Sequence, residues 1–118
     1  MTSRFFLVFL LLTLFSCNKK NKRRVIVDDV FAEGDITKDT VYNGTIKFYD
    51  TATNKLVMVA NYKSGVLDGE RIDYYINGNP KLKLNYENGK DNGELIIFDS
   101  SGNVFKKHNF YYGLRYGP

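Results

Sequence analysis

One short phrase recurs in this chain at a fixed interval, and that interval limits what the chain can fold into. YKSGVLDGE begins at Tyr62, YENGKDNGE at Tyr86 and FYYGLRYGP at Phe110, each 24 residues after the last. Gly65, Gly89 and Gly113 keep the same spacing, as do Gly69, Gly93 and Gly117. So do Gly78 and Gly102, Tyr74 and Phe98, and Ile72 and Ile96. A looser copy begins near Thr37, with Asn43-Gly44, Phe48-Tyr49, a turn at Thr51 to Asn54, then Met58 and Ala60. It carries one extra residue in the turn. A period of this length means that each unit is one supersecondary element, which buries its apolar face only by stacking on its neighbours.

Each unit reads as two strands. Asn77-Gly78-Asn79 lies between alternating runs, the pattern of a hairpin turn. Before it, Ile72 and Tyr74 share a face. After it, Leu82, Leu84 and Tyr86 alternate with Lys81, Lys83 and Asn85 at period two. The expectation is that rings and aliphatics of both strands hide on one shared side. Gly65 and Gly69 bracket the link to the next unit, where left-handed backbone costs glycine little. The expected fold is all-β: an antiparallel meander of stacked hairpins, with units over 37–61, 62–85 and 86–109 and a partial unit over 110–118. The third unit has Lys106 and His108 where the second has Leu82 and Leu84, so its inner face is weaker. The tail from Phe110 either folds back as a cap over the sheet edge or leaves an aromatic patch for a partner. Val25 to Ile36 suggests one short strand covering the opposite edge. Its acids, Asp28, Asp29, Glu33 and Asp35, lack the EF-hand calcium pattern and read as a solvated loop.

The first 17 residues follow a different plan. Arg4 and the amino terminus precede an apolar run from Phe5 to Phe15, and Ser16 and Cys17 follow. That is the layout of a secretory signal peptide, here a signal helix ahead of the β domain. Eleven helical residues span about 16 Å, short of a hydrocarbon core of about 30 Å. Leu14-Phe15-Ser16-Cys17 resembles a bacterial lipobox. The resemblance implies that Cys17 becomes the lipidated N-terminus and anchors the protein in the membrane. More than one acyl chain is needed for stable anchoring, and lipoproteins carry them on both the sulfur and the amine. The alternative is an uncleaved membrane helix. The five cations between Lys19 and Arg24 favour it by the positive-inside rule. Residues 18–24 read as a basic tether, either touching anionic lipid or acting as a self-repelling spacer.

Composition narrows the functional classes. The net charge of +4 is a local property. Six of the 17 Lys and Arg residues lie before Val25, and the remaining eleven face all 13 acids, leaving that part near −2. Cations interleaved with acids form a mixed solvated surface, not a nucleic-acid surface. A single cysteine precludes an internal disulfide, and with a single histidine it precludes a Cys₄ or Cys₂His₂ zinc site. His108 has no carboxylate beside it in sequence. Ser100-Ser101-Gly102-Asn103 is turn chemistry, without the Gly-x-Ser-x-Gly form. No catalytic, metal or cofactor site is expected, and the chain reads as a non-enzyme.

The Tyr-x-x-Gly-x-x-x-Gly phrase resembles the MORN repeat family, in its bacterial variant. The match rests on Tyr62, Gly65, Gly69, Tyr74, Tyr75, Gly78, Tyr86, Gly89, Gly93, Phe98, Gly102, Phe110, Gly113 and Gly117. The resemblance implies a repeat-built binding module in which these positions are structural. Proteins with this variant are described as YwqK-type antitoxins, and many are lipoproteins. With Cys17, the expectation is a lipid-anchored envelope protein facing the periplasm, with a protein or the membrane surface as partner. Neutralisation of a toxin by direct binding is the alternative.

Overall fold

The computed structural model describes residues 22–116. The signal segment, Cys17 and residues 18–21 of the tether lie outside the described residues. So does Gly117.

Ten strands form one antiparallel sheet. They are β1 (Lys22–Val27), β2 (Val30–Ile36), β3 (Tyr42–Asp50), β4 (Leu56–Lys63), β5 (Val66–Tyr74), β6 (Pro80–Glu87), β7 (Lys90–Asp91), β8 (Gly93–Phe98), β9 (Val104–Tyr111) and β10 (Leu114–Tyr116). Each strand pairs with the next in sequence, except that β6 pairs with both β7 and β8. β7 and β8 together repeat β5, interrupted at Asn92.

Two kinds of turn set the register. Links between units are two residues long, and both residues have positive φ: Ser64 and Gly65 (49° and 84°), Asn88 and Gly89 (49° and 83°), Tyr112 and Gly113 (46° and 87°). This is the type I′ geometry, whose twist matches that of the flanking strands. The links stack on one another. The N–H groups of Gly65, Gly89 and Gly113 donate to the carbonyls of Tyr42, Leu67 and Asp91 at 2.8, 2.7 and 2.6 Å. At the opposite end of the strands lie the hairpin tips. Residues 76–78 and 100–102 are closed by Tyr75 N–H to Asn79 O and Asp99 N–H to Asn103 O, both 2.8 Å. The first tip, 51–54, is closed by Asp50 N–H to Lys55 O at 2.8 Å, one residue longer. A register shift follows each tip, so the bulge repeats with the period.

The buried core is small and one-sided. Ala32, Ile36, Ile46, Phe48 and Ala60 are buried, with Val25, Val30, Tyr42, Val57, Met58, Tyr62 and Leu67 packed around them. All five sit on β2, β3 and β4. Backbone approach at Gly34 brings β2 close to β3: a Cβ there would lie 2.6 Å from Ile46 Cδ1 and 2.9 Å from Thr45 O. Among the described residues of β5–β10, none is fully buried.

Three expectations are corrected. First, the apolar residues do not share one side. Ile72 pairs with Lys83, whereas Leu82 and Leu84 pair with Asp73 and Arg71. Paired residues share a face. Ile72, Tyr74 and Phe98 therefore occupy one face, and Leu82, Leu84 and Tyr86 the other. Alternation fixes which residues go together; turn geometry fixes which face they take. Second, Val25 to Ile36 is not one covering strand. It contains the end of β1, the Asp28-Asp29 turn and all of β2, and residues 22–24 of the expected tether begin β1. Third, the tail does not fold back as a cap. β10 pairs with β9 and extends the meander.

Candidate functional site

The core face carries a column of rings. Tyr42 meets Phe48 and Tyr62 edge to face, with centroids 5.8 and 5.0 Å apart. Tyr62 and Tyr86 are 24 residues apart, and burial pushes both hydroxyls above their ordinary pKa. Between them sits an ion pair. Arg71 Nε and Nη2 donate to the two oxygens of Asp73 at 2.9 and 3.1 Å. Arg71 Nη1 reaches the Tyr86 hydroxyl at 3.5 Å. The Asp73 hydrogen bonds raise the guanidinium's pKa further. This pair fills the inward positions of β5 and so explains why Ile72 faces the other way. A bidentate pair of this kind satisfies itself, and neither partner is left to act on a ligand.

His108 pairs with Leu95 on this same face. Its Nδ1 is buried with no hydrogen-bond partner. Loss of hydration lowers its pKa, and Arg115 and Lys106 lower it further. No acid assists it as a base. Among the described residues, no cluster of three His, Cys, Asp or Glu could hold a metal ion.

The opposite face is ordered in rows. Nearest the hairpin tips runs an apolar row. Ile26 pairs with Phe31, Phe31 with Tyr49, and Tyr49 with Leu56. Leu56 and Tyr74 line one groove with Ile76. Tyr74 then pairs with Pro80, and Phe98 with Val104. The Phe31 and Tyr49 rings stack at 5.0 Å. The next row pairs Lys47 with Val59, Val59 with Ile72, Ile72 with Lys83, and Ile96 with Lys107. A third row, towards the links, carries Thr45, Asn61, Glu70, Asn85, Glu94 and Asn109.

The lysines lean towards the tips. Over residues 37–116, Lys47, Lys55, Lys81, Lys83, Lys106 and Lys107 lie on that half, where Asp73 is tied to Arg71. Asp39, Asp68, Glu70, Glu87, Asp91 and Glu94 lie towards the links, interleaved there with Lys38, Lys63, Lys90 and Arg115. The three tips, Thr-Ala-Thr-Asn, Ile-Asn-Gly and Ser-Ser-Gly, carry no charge. Asp50 and Asp99 flank them with their carboxylates turned back on the turn. Asp50 accepts from Thr53 N–H and Oγ1, which lowers its pKa, and Asp99 accepts from Ser101 and Asn103 N–H.

The repeat residues divide by position. Gly65, Gly89 and Gly113 make the links, and Gly78 and Gly102 the tips. Gly69 and Gly93 sit where β5 and the β7–β8 strand break step, and Asn61 Cβ would lie 3.2 Å from a Cβ at Gly69. Tyr62, Tyr86 and Phe110 share the core face, and Tyr74 and Phe98 the apolar row. Reading the sequence for residue types missed the Asn column 61, 85 and 109, although its 24-residue interval was visible. Asn61 accepts from Thr45 Oγ1 at 2.6 Å and donates to Glu70 O at 2.8 Å. The Arg71–Asp73 pair left no periodic signal, because β8 has Leu95 and Ile97 at the inward positions.

No family model, curated protein or solved structure matches this chain.

Proposed function

We propose that this is an exported lipoprotein, anchored through Cys17, whose sheet is a non-catalytic interaction module at the cell envelope. One observation carries the reading: an apolar row runs from β1 to β9 on the face away from the core. Ile26 at its start is 74% exposed and Val104 at its end 52%. A row so long, bordered by lysines, is the composition of a binding surface. The lipobox-like Leu14-Phe15-Ser16-Cys17 supplies the address, and the shared MORN-type phrase supports the role of the repeats as scaffold.

Labelling cells with a palmitate analogue tests the anchor. Label is expected on the protein and is expected to vanish in Cys17→Ser. Label that persists in Cys17→Ser, or none on the wild type, removes the anchor. Crosslinking in envelope membranes tests the module: a wild-type adduct lost in Tyr49→Ser supports it, and identical adducts in both contradict it.

A further inference from the structure

Resting on that reading, we infer that the sheet stands tip-down on an anionic lipid surface, with the apolar row at the headgroup boundary and the lysine row at the phosphates. Rings and aliphatics with a polar rim above them suit a membrane interface. Lysine stems lie along apolar surface while their ammonium groups reach outward. Lys47, Lys83 and Lys107 form no ion pair among the described residues; Glu33, opposite Lys47 in the same row, is itself tied to Arg24. Residues on one face of a strand repeat every two positions, about 6.7 Å apart. Glu70 and Glu94, two rows up, therefore stand about 13 Å above the apolar row, clear of the anionic headgroups. The tips enter first, led by Ile76, which is 63% exposed, with the flanking Asp50 and Asp99 carboxylates bonded back to their own turns.

Charge favours a lipid surface over a second copy stacked with its strands in the same direction, which would set lysine against lysine. An anionic membrane meets the same row with opposite charge, each cation near the surface favouring contact. Asp28 and Asp29 are exposed at the first corner of the tip side, and they hold that corner off the surface. Contact falls to the three later hairpins. The tether length agrees. Lys22 lies four residues, about 13 Å, above Ile26 along β1. The five residues from Cys17 span at most about 18 Å, which returns to the interface with about 5 Å left for the lift of that corner.

The chain contains no tryptophan, so a single introduced one reports its own depth. The full chain would be reconstituted in vesicles of phosphatidylcholine, alone or mixed with phosphatidylglycerol, with brominated acyl chains as quencher. Ile76→Trp and Phe105→Trp, both at exposed positions on the tip side, are expected to shift to the blue and be quenched only in the anionic vesicles. Val66→Trp, exposed at the link end, is expected to stay water-like. In the Ile76→Trp background, Lys47→Gln, Lys83→Gln and Lys107→Gln should each lower the docked-to-free ratio about five-fold. Tip reporters that stay in water, or are quenched equally in both vesicles, overturn the inference, as does quenching of Val66→Trp. Such failure with the palmitate label intact removes this lipid contact and leaves the anchored module. Loss of the label with tip quenching intact removes the anchor alone.

Discussion

Gly34→Ala is the sharpest test of how the small core is assembled. The added Cβ would sit 2.6 Å from Ile46 Cδ1 and 2.9 Å from Thr45 O, on a backbone with φ +156°. Two costs combine: the positive φ, roughly 1–2 kcal/mol, and overpacking, typically about 1–3 kcal/mol. Their sum is about 3 kcal/mol. Gly102→Ala isolates the first cost, since its φ is +96° and nothing lies within 4 Å; about 1 kcal/mol is expected. Ile46→Val isolates the second, because it deletes the clashing Cδ1. Alone it should cost about 1 kcal/mol. Combined with Gly34→Ala it should cost almost nothing more, a favourable coupling of about 1 kcal/mol. Rescue should stay partial, because the Thr45 carbonyl belongs to the backbone and cannot rotate away. Urea unfolding followed by far-UV circular dichroism, on a chain beginning at Asn18, measures all four variants. Equal losses in Gly34→Ala and Gly102→Ala would refute the close approach, and strict additivity in the double variant would refute the Cδ1 contact.

Other perturbations probe the rest of the sheet. Asn61→Ala removes the bonds to Thr45 Oγ1 and the Glu70 carbonyl and should cost about 1 kcal/mol, read as a lower urea midpoint. His108→Leu removes a buried nitrogen without a partner and should stabilise β9, read as a higher urea midpoint. Because the folded pKa of His108 lies below the ordinary 6.5, stability should be full above that value and fall as pH drops through it. His108→Leu should flatten the fall in the urea midpoint below pH 6.5. Tyr62 has the opposite sign. Its pKa is raised above 10.0, so its contribution holds below that value and is lost as pH rises through the folded one. Tyr62→Phe should unfold at higher pH than the wild type. Amide exchange should be slowest in β2–β4 and fastest in β9–β10, because only the former hold fully buried side chains.

How far the fold was legible depended on what the 24-residue period encodes. Glycine columns 65/89/113 and 78/102 mark the links and tips, because positive φ leaves few other residues at those places. The order of strands in the meander follows from them. Which face each residue takes does not. Ile72 and Leu84 have the same hydropathy, and the single-layer sheet has apolar residues on both sides. Only the break in step at Gly69, with Arg71 and Asp73 pairing inward, separates them. Tyr112 shows a second limit. It takes a link position that Ser64 and Asn88 fill elsewhere, with φ +46°, held by Asn92 Oδ1 and Glu87. An aromatic there reads as a cap until the register is known. The apolar row was hidden because its members come from nearly every strand, at intervals no short window spans.

The most direct test of the sheet is its register. Cross-strand Cα-proton nuclear Overhauser contacts should be sought across β5 and β6 in the chain beginning at Asn18. Proximity is expected between Ile72 and Lys83, a pair that does not exchange backbone hydrogen bonds. Contacts of Ile72 with Leu82 or Leu84 instead would mean a one-residue slip, which exchanges the two faces and dissolves both the apolar row and the lysine row beside it.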